Sequence, residues 1–524
     1  MYDIIIRGAR VLDGTGNPAF HADVAVKDGK IARVGPHFSG AERIIDAAGQ
    51  VLAPGFINVH SHQDMALERD PLCACELEQG ITTFVGGMCG ESPAPISEKY
   101  EEAGLRAAGG GAISHESLAA RRDMGAYFRF LNRPCGVNTA FLTGHGNLRA
   151  AVSGYADRKL TAAELEEMKS LLRRCMKAGA LGVSFGLIYP PGSYADTDEL
   201  IQVARVAAEL GGVFTVHMRS ENSGLIEATD EMLRVAKASG ARCVISHHKA
   251  TGGRLNWNKT AATLSMMQRA ADEGLDIFCD QYPYTASSTG LDTNIPGPLH
   301  ALGTDELVRR LTDPAGRAAL RPAICGNKSS RERFSFTMIG NCRTHPEYNG
   351  RMLNDIADEL GVDPYDLHCG LLAENRLNVT GIFHSMCEED VERVMRWDRA
   401  MFGTDGASRA AGKIGHPRIY ASFPRILGRY VRERRVITLE NAIRKMCCLP
   451  AMVYGFHTKG LIREGMDADL VIFDPETIID RATYAHPELD NEGISYVMVN
   501  GRIAVEDGKA TGVLAGRRLL RRHD

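Results

Sequence analysis

Apolar positions along the chain change period several times, and the changes mark out its organisation. Near the start, Asp3-Ile4-Ile5-Ile6-Arg7, Asp23-Val24-Ala25-Val26 and Lys30-Ile31-Ala32-Arg33-Val34 are short, apolar and rich in β-branched residues. Such runs predict strands, and Asp28-Gly29 between two of them predicts a hairpin turn. The last part of the chain is built the same way. Ala468–Phe473 and Tyr496-Val497-Met498-Val499 read as strands, with Asn500-Gly501 and Asp507-Gly508 as turns. Two β-rich ends around a different middle predict one small β-domain built from both termini, residues 1–54 and 457–524.

The middle, residues 55–456, alternates between the two periods. Thr161-Ala162-Ala163-Glu164 is a capping box that opens a helix ending near Gly179, and Leu181–Phe185 follows as a strand. A helix over Thr197–Leu210 leads to the strand Val213–Val216. A helix through Glu231–Ala238 leads to Cys243–Ser246, and one around Ala261–Ala271 leads to Asp276–Cys279. This βα repetition predicts a parallel sheet, and its length favours a closed TIM-type (β/α)8 barrel over an open sheet. No Gly-x-Gly-x-x-Gly follows the first strand, which argues against a dinucleotide fold. Residues 285–378 break the rhythm with Gly/Pro punctuation and helical pieces at Asp305–Leu311 and Met352–Leu360. They read as an insertion, either a lid over a site or a surface excursion.

Composition narrows the class. The chain has 524 residues, 44% hydrophobic and 24% charged, ordinary for a soluble globular protein. A formal net charge of -4 points to neither nucleic acid nor membrane as partner. The start has no signal-peptide pattern and no apolar run is long enough for a bilayer, so a cytoplasmic location is expected. Thirteen cysteines without framework spacing then read as reduced thiols, Cys73, Cys75, Cys447 and Cys448 among them as core or surface residues.

Candidate chemistry collects where strands end. His60-Ser61-His62 follows Gly55–Val59, and residues i and i+2 of an extended segment point the same way. Cys89 follows Ile81–Val85, His217 and His247 close two of the strands above, and Asp405 follows Met401–Thr404. In a barrel these ends converge on one face. Imidazole, thiolate and carboxylate are the donors that zinc prefers. Each residue alone is more often structural; several ligand types at the ends of separate strands form a metal-site pattern. Zinc polarises an amide carbonyl and activates water, and Asp405 is the candidate to move the proton. Its bland alternative is a turn residue before Gly406.

Pro54–His62 resembles the opening motif of the amidohydrolase superfamily, and Gly460–Asp474 its closing motif. More narrowly, the chain resembles the N-acyl-D-amino-acid deacylases (D-aminoacylases). The resemblance runs through Met88-Cys89-Gly90-Glu91-Ser92, Gly186–Gly192, His217-Met218-Arg219, Ser246-His247-His248-Lys249, Tyr282-Pro283-Tyr284, Gly403-Thr404-Asp405-Gly406, His416-Pro417-Arg418 and Phe423-Pro424-Arg425. It implies an α/β fold, a metal-dependent hydrolase barrel with a small β-sandwich domain from both termini. It implies one tight Zn2+ on Cys89, His217 and His247, and a second, weaker position at His60 and His62 with Cys89 bridging. Leu181–Leu187 has no Lys, consistent with a thiolate bridge in place of a carboxylated lysine. His248 should then face away from the metal.

The resemblance further implies that Lys249, Tyr282 and Arg418 hold a substrate carboxylate and that Tyr189 lies in the substrate site. By position, Ile188, Phe383 and Met386 are candidates for the side-chain pocket, with ordinary core as the alternative. The expected substrate is a small N-acyl-D-amino acid. No Arg or Lys occurs between Tyr282 and Leu307, which leans towards apolar or neutral side chains. Three departures stand out: Asn58 replaces the motif's usual Asp, Met88 and Glu91 flank Cys89, and a slightly longer loop with Ala407-Ser408 precedes Arg418. Alternatives are another amidohydrolase reaction (a cyclic amide, a dipeptide-like substrate or a deamination), a metal-binding scaffold, and Cys89 as nucleophile.

Overall fold

The β-branched run at the start forms a ten-residue strand, Tyr2–Val11, in the computed structural model, which describes residues 1–108, 113–408 and 415–521. Tyr2–Val11 pairs antiparallel with Phe20–Lys27 and parallel with Val51–Pro54. Val51–Pro54 in turn pairs antiparallel with Leu470–Phe473, from which Ile494–Val499 and Arg502–Glu506 continue. Both ends of the chain thus share one nine-stranded sheet. Ile4, Ile6, Val24 and Val26 from one end and Leu470, Ile472 and Met498 from the other bury a common core.

Eight strand positions make the barrel: Phe56–Asn58, Ile81–Gly86, Asn138–Phe141 continuing as Thr143–Gly144, Gly182–Gly186, Val213–His217, Arg242–Ile245, Ile277–Gln281 and Ala400–Phe402. Neighbours pair in parallel. The barrel closes where Val59 N donates to Phe402 O at 3.3 Å and Asp405 N to His60 O at 2.8 Å. Period-two alternation divides the side chains. Val213 and Val244 face the barrel interior with Ile57, Val85 and Met401. Phe214, Val216, Cys243 and Ile245 face outward against helices, where Met176, Val203, Met232 and Met267 meet them. The helix Ala162–Lys177 opens with the full capping box of Thr161 and Glu164, an arrangement worth about 1 kcal/mol.

The segment between the seventh and eighth barrel strands forms its own unit. Ser287–Gly290, Thr380–Phe383 and Thr337–Asn341 make an antiparallel three-stranded sheet. Leu291, Leu307, Leu311, Phe334, Ile356 and Leu372 give it a separate core.

A buried ion network ties the terminal sheet to the barrel. Lys459 Nζ lies 3.1 Å from Asp467 Oδ2 and 2.5 Å from Asp469 Oδ2. Lys30 Nζ donates to Asp467 at 2.5 Å, Arg517 pairs with the same carboxylate, and Asn138 on the third barrel strand donates to Asp469 at 2.9 Å. The tail crosses the opposite end of the barrel from the candidate ligands: Leu519 N donates to Thr139 O and Arg521 N to Gly179 O. None of the described helices is long and apolar enough to cross a membrane. All thirteen cysteines are free. Residues 409–414 of the longer loop before Arg418 lie outside the described residues.

Candidate metal centre

All the sequence-derived ligand candidates stand at the strand ends of one barrel face. Ile81–Gly86 ends three residues before Cys89, His217 is the last residue of its strand, and His247 follows Arg242–Ile245 by two. Three of these residues have left-handed backbones despite carrying side chains: Cys89 at φ 53°, His247 at 37° and Asp405 at 49°. Such conformations cost on the order of 1–3 kcal/mol each and persist where the surroundings enforce them. Here they aim the thiol, imidazole and carboxylate inward. Glycines allow the close approach: a Cβ on Gly186 would sit 1.9 Å from Cys89 O, and one on Gly403 2.5 Å from His60 Cβ.

Two donor groups share one sulfur. Cys89, His217 and His247 form one cluster and His60, His62, Cys89 and Asp405 another, the donor atoms in each lying within 4.8 Å of one another. Cys89 Sγ is 3.3 Å from His60 Nε2 and 3.4 Å from His247 Nε2. Asp405 Oδ1 lies 3.5 Å from His60 Nε2 and 3.3 Å from His62 Nε2. Its Oδ2 is 2.8 Å from Arg418 Nη1.

Electrostatics suit a cation. Burial pushes the Cys89 thiol well up, and the nearby Asp405 and Glu91 charges add to that; a coordinated metal reverses this balance. Burial holds the His217 and His247 imidazoles well below their usual range, in the neutral form a metal needs. Burial also raises the Asp405 carboxyl, but Arg418, then His247, His60 and the His62 hydrogen bond, outweigh it and hold the group well below the ordinary range. For His62, burial lowers the imidazole, yet the Asp405 hydrogen bond and nearby acids raise it overall.

Two carboxylates outside the predicted ligand set support these histidines. Glu221 Oε1 lies 2.9 Å from His247 Nδ1 and 2.6 Å from Lys249 Nζ, and its Oε2 is 3.8 Å from His217 Nε2. Asp280 Oδ1 lies 3.2 Å from His60 Nδ1 and accepts from His247 N at 2.8 Å. A carboxylate on the outer nitrogen of a ligating histidine fixes its tautomer and ring plane. Asp280 is the penultimate residue of the barrel strand Ile277–Gln281 and obeys the same positional rule as the ligands, though the predicted strand stops short of it. Glu221 lies in a loop, and nothing local marks it.

The remaining candidates take different places. Arg418 lies over the Tyr282 ring at 4.5 Å and donates to Ser288 O at 3.0 Å, while its Nε is buried without a partner. Lys249 lies 5.6 Å over the same ring, with its Nζ already on Glu221 and also donating to His247 O at 2.9 Å. Tyr189 packs edge-on against His217 at 5.0 Å and bonds Thr289 Oγ1 through its hydroxyl at 3.0 Å. Met386 lines a small cavity with Lys249 and Tyr282. Ile188 is half-buried, and Phe383 packs on the core of the inserted unit. His248 turns outward, its Nε2 2.8 Å from Thr263 Oγ1. The segment without its own Arg or Lys has one beside it: Arg106 Nη2 is 3.5 Å from His300 Nδ1.

The model of the Amidohydrolase family matches residues 43–505. The chain belongs to the amidohydrolase family. It is 37% identical over 505 residues to N-acyl-D-glutamate deacylase of Alcaligenes xylosoxydans xylosoxydans, covering 95% of this chain and 93% of that one. It is 34% identical over 522 residues to D-aminoacylase of the same organism, covering 99% and 98%. A crystal structure of N-acyl-D-glutamate deacylase from Bordetella bronchiseptica, complexed with zinc and a phosphonate mimic of the tetrahedral intermediate, superposes with a TM-score of 0.81. Sequence identity is 35%, over 99% of this chain and all of that one.

The donor set of this amidohydrolase fits a metal on its own chemistry. Both ring nitrogens of His217 are buried without a hydrogen-bond partner. Leaving such atoms unsatisfied costs about 1–3 kcal/mol each, and a cation between Cys89, His217 and His247 would satisfy one of them.

Proposed function

We propose that the chain hydrolyses the amide bond of small N-acyl-D-amino acids, giving a carboxylate and a free D-amino acid, with Zn2+ as cofactor. The observation that carries this reading is one thiol, Cys89, shared by two histidine clusters, with Asp405 in the second and Arg418 against it. Cys89, His217 and His247 would hold one zinc tightly. His60 and His62, sharing Cys89, would hold a second more weakly. Zinc supplies the Lewis acidity that polarises the carbonyl and activates water.

The chain's own residues do the rest. Asp405, kept ionised by its cationic neighbours, takes a proton from the attacking water and delivers it to the leaving nitrogen. Arg418 offers a planar fork to the α-carboxylate, and Tyr282 backs it. Lys249 adds a point charge that Glu221 balances. Tyr189, Ile188 and Met386 would line the substrate site, with Phe383 at its edge. The inserted unit touches the site through Ser288 and Thr289, which supports the reading of residues 285–378 as a cover over the site. The domain limits 1–54, 55–456 and 457–524 belong to the same proposal.

The test is a substrate panel. Zinc-loaded protein is incubated with N-acetyl-D- and N-acetyl-L-amino acids bearing acidic, neutral and apolar side chains, and the free amine is measured. Cleavage of the D series is expected. Cleavage of neither series, or preference for L, refutes the reading.

A further inference from the structure

Asn58 stands where the opening motif usually carries Asp, and the structure shows what accompanies it. The residue ends the first barrel strand and is fully buried. Its amide is used on both sides. Oδ1 accepts from His60 N at 3.2 Å and from Thr404 N at 3.0 Å. Nδ2 donates to Thr404 Oγ1 at 2.9 Å and to both carboxylate oxygens of Glu76, at 3.1 and 2.9 Å. Asn58 therefore staples the first barrel strand to the last, at the seam between the residues leading to His60 and those leading to Asp405.

Glu76 lies on the short helix Ala74–Leu77 and is buried. Besides Asn58 it accepts from Ser61 Oγ at 2.8 Å, and Ser61 Oγ in turn accepts from Gln63 N at 3.1 Å. Among the described residues no Lys, Arg or His forms an ion pair with it. Burial pushes its carboxyl up to about 7, against the pull of the Asn58 and Ser61 hydrogen bonds. A buried acid without a countercharge is costly, and its hydrogen bonds come from the strand end at Asn58 and from Ser61 in the loop that presents the histidines. An aspartate at position 58 would set two carboxylates within hydrogen-bond distance of each other, a repulsion that an amide removes.

We propose that Glu76 is a positioning residue for the candidate metal centre: acting through Asn58 and Ser61, it orders the backbone that presents His60, His62 and Asp405. With an amide at position 58, the buried carboxylate of this seam is Glu76, and the Asn58 amide is its hydrogen-bond complement. The role rests on the reading of those three residues given above.

The test is a charge swap. Asn58→Asp, Glu76→Gln and the double variant are compared with the unaltered full-length chain in zinc affinity, in kcat and KM, and in urea unfolding of the metal-free form. Each single change is expected to lower zinc affinity or kcat about 10- to 100-fold, as loss of an outer partner does, with KM little altered because Glu76 touches no substrate. In the double variant the carboxylate introduced at position 58 accepts from the amide introduced at position 76. Recovery to within about threefold is expected if the two sites are coupled. Additive losses overturn the proposal. So does a change confined to urea unfolding, which marks a packing role. If the unaltered chain binds no zinc, the reading of the centre fails. If it binds zinc but the swap shows no coupling, the role of Glu76 fails alone.

Discussion

Arg418 sets Nη1 2.8 Å from Asp405 Oδ2, so the guanidinium assigned to a substrate carboxylate already holds a carboxylate of the chain. A substrate that draws on this guanidinium shares it with the proton-transfer group. On the proposed roles of the two residues, recognition and proton transfer would be coupled through one side chain.

Arg418→Lys keeps the charge but loses the fork. Charge-assisted hydrogen bonds of this kind contribute about 1.5–3 kcal/mol, so kcat/KM is expected to fall about 10- to 100-fold by the relation of about 1.4 kcal/mol per decade. N-acyl amines lacking the carboxylate should lose kcat as well as affinity. Steady-state kinetics on both substrate types checks this, and an unchanged kcat for the amines would contradict the coupling.

Asp405→Asn removes the proton acceptor while nearly preserving shape. Turnover is expected to fall about 10²- to 10⁴-fold. Zinc at Cys89, His217 and His247 should remain, as measured by elemental analysis. Loss of that zinc together with turnover would make Asp405 a ligand first and a base second.

Removing metal with a chelator should abolish turnover, and zinc should restore it. Holo protein is expected to unfold at higher temperature than apo, with about 4 kcal/mol of added stability when free zinc is about a thousandfold above its dissociation constant. Cys89→Ser should erase most of both effects. A nucleophilic Cys89 would instead leave a metal-free chain that still turns over and is inactivated by alkylation.

Glu221→Gln keeps the size of the side chain but weakens its hold on His247 and Lys249. Zinc affinity is expected to drop about 10- to 100-fold. Competition against a chromogenic chelator measures it; unchanged affinity would show that His247 needs no such support.

Asp467 makes stability depend on acid pH. Burial raises its carboxyl, but Lys459, the Lys30 and Thr458 hydrogen bonds and Arg517 outweigh burial and hold it well below the ordinary value. The folded form thus binds the proton less readily than the unfolded form. Its stabilising contribution is present above about pH 4, the unfolded value, and is lost as pH falls towards the folded one. Urea midpoints measured from about pH 7 down to about 2 should fall more steeply for the unaltered chain than for Asp467→Asn. The variant should be less stable at neutral pH. Parallel curves would remove Asp467 from the acid limb.

The strand ends are legible because period and position say the same thing there: Val213–His217 alternates inward and outward, and His217 falls on the inward side. The same rule covers Asp280, which escapes only because the apolar run Asp276–Cys279 stops one residue short of it. Glu221 and Glu76 follow no local pattern, since their partners His247 and Asn58 are distant in sequence and are reached by the fold, not by spacing. Lys249 is legible as a cation but not as one already balanced by Glu221. The inserted segment reads as irregular because its three strands are short and scattered in sequence, with several helices lying between them along the chain.

The shared terminal sheet imposes an order on biosynthesis. Val51–Pro54 hydrogen-bonds to Leu470–Phe473, yet at about 5–20 residues per second the later strand emerges roughly 20–80 s after the earlier one. Through that interval the N-terminal strands present an open edge to the cell. The nascent terminal sheet must either be shielded by a chaperone or tolerate a template for wrong pairing until its C-terminal strands arrive.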